Sequence, residues 1–178
     1  GFSLTKEFIE HIKADTEIVF ICEPNNPTGV TTPRDLLKKV LERCAEVGAL
    51  LVIDECFNDF LDEPEKHSMR EMLADFDNLF ILKSFTKLYA MAGIRLGYCL
   101  CYNENLLKKI RKAGQEWSVS SLAENAGLAA LREVGYVSEL RRLVKSERER
   151  VVRELGDMGI DRVYGEADYL LFHAREGL

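Results

Sequence analysis

Three short runs, 17–22 (EIVFIC), 49–53 (ALLVI) and 79–82 (LFIL), are apolar at odd and even positions alike. A strand with water on one side alternates apolar and polar residues, so strands without alternation have to be covered on both faces. Helix-sized stretches separate the runs, which predicts an α/β fold with a mostly parallel sheet between helices. Residues Leu36, Leu37, Val40, Leu41 and Cys44 recur at helical spacing. That helix is expected to begin with Thr32 before Pro33 at its first position and to close at Gly48. Segment 5–14, with Phe8, Ile9 and Ile12, reads as a helix, and 69–73 as helix-like. A fourth strand at 96–102 follows a loop with no helical period, so its direction stays open and antiparallel is allowed. Segments 106–112, 122–133 and 136–158 are helical by pattern. The last is long, charged and striped by Leu140, Leu143, Val144, Val151 and Leu155, as in a helix that bridges two domains. A final strand at 169–172 has no visible partner.

The chain has 178 residues, 47% hydrophobic and 30% charged, enough apolar material for a core, and this excludes disorder. Twenty-four Lys and Arg against 30 Asp and Glu give a net charge of −6. With no block of like charge, nucleic-acid binding is not expected. No apolar run approaches the roughly 18 residues of a membrane span, and no signal pattern opens the chain, so a soluble, cytoplasmic protein is expected. Five cysteines without a C-x-x-C pair read as reduced thiols. His11, His67 and His173 are scattered without ligand spacing, and no metal site is expected. The chain begins at Gly1 and reads as a trimmed piece.

In open parallel sheets, ligands sit beyond the carboxyl ends of the strands. Three such places here are chemically loaded: Glu23-Pro24-Asn25-Asn26-Pro27-Thr28-Gly29, Asp54-Glu55, and Lys83-Ser84-Phe85-Thr86-Lys87 with Gly93-Ile94-Arg95 further on. Each segment alone has a plain alternative as a turn, a helix cap or a solvated charge. Together, N-N-P-T-G, D-E-x-F, S-x-T-K and G-I-R-L-G-Y resemble the fold type I pyridoxal-phosphate enzymes, the class I/II aminotransferases. The resemblance runs through nearly the whole chain.

It implies pyridoxal 5'-phosphate as cofactor, with Asn26 on the ring oxygen, Asp54 on the pyridine nitrogen, Lys87 forming the Schiff base, and Arg95 gripping the phosphate with Ser84 assisting. These roles suit the chemistry. A buried carboxylate favours a protonated ring, and desolvation favours the neutral amine a nucleophilic lysine needs. A guanidinium fork suits a phosphate. Lys83, the competing lysine, precedes Ser84 at the strand end and is set aside. The resemblance further implies a cis Asn26-Pro27 bond and a homodimer acting on a small amino acid or amino-acid phosphate, such as histidinol phosphate.

Phe57 stands where most of the family has Tyr. With Asn58-Asp59-Phe60 and Trp117-Ser118-Val119 it looks more like the threonine-phosphate decarboxylase branch than like histidinol-phosphate aminotransferase, its close relative, and the chain as a whole resembles the branch that holds both. Packing is the plain alternative for Phe57 and Trp117. Asp168 stands where relatives often carry Asn. The resemblance makes 1–134 the second half of the cofactor-binding large domain and 135–178 the interdomain helix and start of a small α+β domain, a fragment inactive alone. Amino-group transfer is the first expectation, threonine-phosphate decarboxylation the second, and a non-catalytic domain of the same fold the third.

Overall fold

In the computed structural model, which describes residues 3–160 and 163–174, the apolar runs become β1 (Ile18–Cys22), β2 (Leu50–Asp54) and β3 (Leu79–Ser84), all parallel. β4 (Gly97–Leu100) lies antiparallel beside β3, in the order β1-β2-β3-β4. Register aligns Val19 with Leu51 and Leu79, and Ile21 with Ile53 and Ile81, so these rows face one side. Against them packs α2 (Arg34–Val47), after a short α1 (Glu7–Glu10), with Leu37, Val40, Leu41 and Cys44 fully buried. Each of the three aliphatic side chains contributes about 2 kcal/mol by leaving water.

α3 (Pro64–His67) and α4 (Phe85–Leu88) are single turns, and α5 (Glu104–Ala113), α6 (Ser121–Ala130) and α7 (Tyr136–Asp157) follow. α6 passes close to Leu96 at Gly127, where an added Cβ would stand 2.6 Å from Leu96 Cδ2 and that side chain would have to shift. α7 lays Val137, Leu140 and Val144 on a second cluster around Phe60, Leu61, Leu88 and Ala167. β5 (Val163–Tyr164) and β6 (Leu171–Phe172) form a small antiparallel ribbon.

Several expectations are corrected. The helix over 5–14 contracts to one turn, since only the one side bearing Phe8, Ile9 and Ile12 meets the core. Segment 69–73 becomes a 3₁₀ turn, Arg70–Ala74, too short to show an α period. Pro33 is the N-cap of α2 rather than its first residue, with ψ 129°, and the Thr32 N–H is bound by Glu23 instead of opening the helix. Gly48 does close α2, at φ 77°. The last strand has a partner after all, in the two residues of β5. Coverage on both faces holds for β2 and β3 but not for β1, where Ile18 is 50% and Phe20 69% exposed. Trp117 packs in no core: it is 95% exposed.

Candidate active site

Alternation along a strand sorts the loaded residues by side. Asp54 and Ser84 end β2 and β3 on the face away from the α2 core, and Cys22 ends β1 beside Asp54 in register. Asp54 is half-buried, and its Oδ1 accepts the Cys56 N–H at 3.0 Å. Ser84 caps α4, accepting the Thr86 N–H at 3.2 Å, while its hydroxyl lies 2.6 Å from Thr86 Oγ1. That capped turn exposes Lys87, whose Nζ stands 5.4 Å from the centre of the Phe57 ring.

The loop after β1 is held from within and from the far end of the chain. Asn25 donates from Nδ2 to Thr28 Oγ1 at 2.7 Å, and its carbonyl accepts the Gly29 N–H at 2.6 Å. The Gly29 carbonyl in turn accepts the Glu166 N–H at 3.1 Å. Both Glu23-Pro24 and Asn26-Pro27 are cis, the second as expected. Asn26 is exposed at the open edge of the sheet. Tyr169 reaches back to donate to the Asn25 carbonyl at 3.4 Å and meets Phe57 edge-on at 5.0 Å. Arg95, exposed, turns on its own loop and donates from Nη1 to the Ala92 carbonyl at 3.1 Å.

The electrostatics follow this crowding. Burial pushes the Cys56 thiol up to about 12, with the Asp54 bond and charge adding to it. Burial also raises Cys22, which the Asn26 backbone bond opposes and the Asp54 charge reinforces. Tyr169 is raised by burial and by the charges of Cys22, Asp168 and Asp54. The Asp168 carboxyl is raised by burial, against which its own backbone N–H and the Lys87 charge act.

On the opposite side lies a second polar cluster. Lys83 Nζ sits 2.8 Å from Asp59 and 3.6 Å from Glu55, with its side chain only 11% exposed. Glu55 also accepts from the Ser68 hydroxyl at 2.8 Å and the Met69 N–H at 2.9 Å. Burial pulls the Lys83 amine down, and the carboxylates of Asp59 and Glu55 more than reverse it. Lys83 is thus engaged in a buried pair.

The expected residues therefore separate. Asp54, Ser84, Lys87 and the 25–29 loop line one edge, while Arg95 is bonded within its own loop. Sequence reading missed that Tyr169 contacts Phe57 and that Asp168 lies in the field of Lys87. Asp168 had drawn notice only as a substitution, and no local spacing joins it to Lys87.

The sequence profile described as aminotransferase class I and II matches residues 2–176. The chain belongs to the class I and II aminotransferases. It is 34% identical over 172 residues to a threonine-phosphate decarboxylase of Salmonella typhimurium, covering 96% of this chain and 47% of that protein. A histidinol-phosphate aminotransferase structure from Clostridium acetobutylicum superposes with a TM-score of 0.90 at 31% identity, covering 98% of this chain and 52% of that one. The Sinorhizobium meliloti histidinol-phosphate aminotransferase, solved in complex with pyridoxal-5'-phosphate, superposes at 0.77 and 25% identity over 86% of this chain and 41% of that one. This aminotransferase-family chain spans about half the length of the curated relatives it matches. Among the described residues, no helix is long and apolar enough to cross a membrane.

Proposed function

We propose that this chain carries the cofactor-binding half of a pyridoxal-phosphate-dependent aminotransferase acting on a small amino acid or amino-acid phosphate. The observation that carries the reading is the convergence of Asp54, Ser84 and Lys87 on one sheet edge, beside the loop that presents Asn26. The donor set fits the group. Asp54, half-buried and with one oxygen engaged by the Cys56 N–H, offers its other oxygen to a ring nitrogen. Asn26, exposed on its short loop, has an amide suited to a ring oxygen. Ser84 and Arg95 supply hydroxyl and guanidinium donors to a phosphate, Arg95 by leaving the Ala92 carbonyl. The bound cofactor would supply an electron-accepting ring.

Lys87 would supply the amine that holds the cofactor, and the same amine would serve to move the proton of a substrate α-carbon. The Phe57 ring, its centre 5.4 Å from Nζ, packs against that side chain and limits where it can stand. In this reading, 1–134 is the second half of the large domain and 135–178 the interdomain helix and start of the small one. A homodimer in the cytoplasm belongs to the same proposal.

A second reading, decarboxylation of an amino-acid phosphate, draws on Phe57 in D-E-x-F and on the likeness to the threonine-phosphate decarboxylase. The test is incubation of the natural full-length protein with pyridoxal phosphate, borohydride reduction and peptide mass mapping. The adduct is expected on Lys87 and lost in Lys87→Ala. An adduct on Lys83, or none, refutes the assignment. Release of carbon dioxide rather than exchange of the amino group would select the second reading.

A further inference from the structure

Internal bonds set the shape of the 25–29 loop: the Asn25 carbonyl accepts the Gly29 N–H at 2.6 Å and the Thr28 hydroxyl at 3.4 Å. The segment before β6 braces that loop from outside. Its Glu166 N–H bonds the Gly29 carbonyl at 3.1 Å, and Gly165 packs so close that a Cβ on Gly29 would stand 2.6 Å from Gly165 Cα. Arg148, bonded to Asp62 at 2.6 Å, holds the backbone of the segment through the carbonyls of Glu166 and Ala167. From this braced backbone the half-buried Tyr169 side chain makes two contacts of its own. Its hydroxyl donates to the Asn25 carbonyl at 3.4 Å, and its ring meets Phe57 edge-on at 5.0 Å. Tyr169 also packs on the cluster of Phe60, Leu61, Leu88 and Ala167.

Resting on the reading of Asn26 and Lys87 as cofactor contacts, we propose that Tyr169 is a positioning residue, which ties the loop presenting Asn26 to the Phe57 ring that packs against Lys87. The tie acts through the backbone. The Asn25 carbonyl belongs to the planar peptide that leads into Asn26, so a donor bound to it steadies the plane from which the Asn26 side chain springs. The other end of the tie is the Phe57 ring, whose centre lies 5.4 Å from Lys87 Nζ. Asn26 and Lys87 are both exposed, so their mutual placement depends on what supports them from beneath. Burial and the charges of Cys22, Asp168, Asp54 and Glu23 all raise the Tyr169 phenol, which therefore stays a donor at neutral pH.

The test uses the natural full-length protein loaded with pyridoxal phosphate and reads the pH midpoint of its visible absorbance, which follows the proton at the Lys87 nitrogen. A donor on the ring oxygen favours the unprotonated form, so loosening Asn26 raises the midpoint. Tyr169→Phe keeps the ring on Phe57 and removes the bond to Asn25. It is expected to raise the midpoint by about 0.7 unit, the worth of one net hydrogen bond. Tyr169→Leu loses the hold on Phe57 as well and is expected to shift the midpoint at least as far. Asn26→Ala is expected to raise it too, and in that background Tyr169→Phe should add less than about 0.2 unit, because non-additivity marks a residue that acts through another. Urea unfolding of the same variants separates a merely structural role, which would lower stability and leave the midpoint in place. A Tyr169→Phe midpoint within about 0.2 unit of wild type overturns the proposal, and so do additive shifts in the double variant. Borohydride capture on Lys87 is checked in the same samples. Capture with an unmoved midpoint refutes the role of Tyr169 alone, and absence of capture in wild type refutes the cofactor reading and this proposal with it.

Discussion

Glu23 closes β1 with no exposed surface, both of its oxygens 3.0 Å from the Thr32 N–H. Burial raises its carboxyl from 4.5 to about 7, with the Thr32 bonds acting downward and the Glu55 charge upward. A carboxyl whose folded value exceeds its unfolded one gives stability that is complete below the unfolded value and lost as pH rises through the folded one. The window here runs from 4.5 to about 7. At about 1.4 kcal/mol for each unit, the loss amounts to about 3 kcal/mol above that window, with roughly 2.5 kcal/mol of it falling between about pH 5 and pH 8. Glu23→Gln keeps an oxygen for the Thr32 N–H and removes the titration. Urea unfolding of wild type and Glu23→Gln at those two pH values isolates the residue, because other titrating groups cancel in the difference. The variant is expected near wild-type stability at about pH 5 and above it by roughly 2 to 3 kcal/mol at about pH 8. A Glu23→Gln chain less stable than wild type at the higher pH would refute the argument that ionised Glu23 is a burden on the loop it anchors.

Two further outcomes follow from the packing. Gly29→Ala places a Cβ 2.6 Å from Gly165 Cα at a residue with φ 66°, so the strain cannot be relieved by a side chain and the cost is expected at about 3 kcal/mol in urea unfolding. A loss under about 1 kcal/mol would mean that the two loops do not meet as described. Lys83→Met strips a buried amine from Glu55 and Asp59 and is expected to cost about 3 kcal/mol. Burial already raises Glu55 above 4.5, so the variant should lose more stability as pH rises, and a pH-independent loss would contradict this.

Much of the sheet was legible because its signals are local. The runs around Phe20, Val52 and Ile81 lack alternation, and Gly48 marks the end of α2 at the residue where the backbone turns left-handed. β4 was legible only as a strand, since its direction depends on the 85–96 loop closing back through the Phe85 N–H to the Leu96 carbonyl at 3.1 Å. α4 is a single turn and too short to show a period, yet it sets where Lys87 stands. The pairs Phe57–Tyr169 and Asp62–Arg148 join residues far apart in the chain, the second 86 positions apart, and no spacing in a single sequence encodes them. The burial of Lys83 was hidden for a related reason: its partners Glu55 and Asp59 come from another strand end.

Asp54 and Glu55 are neighbours in the chain with opposite tasks, one aimed at the exposed edge and one locked to Lys83 on the reverse side. A one-residue deletion in β2 would carry Glu55 into the place of Asp54 and Cys56 into the place of Glu55, because faces alternate with every residue. The exposed edge would keep a carboxylate, one methylene longer, while Lys83 would meet a thiol where Glu55 had stood. In β3 the same slip would put Ser84 in the place of Lys83 and Phe85 in the place of Ser84. A length change at either strand end therefore removes a charge from the buried cluster on the reverse side of the sheet, and indels survived by descendants of this chain are expected outside β2 and β3.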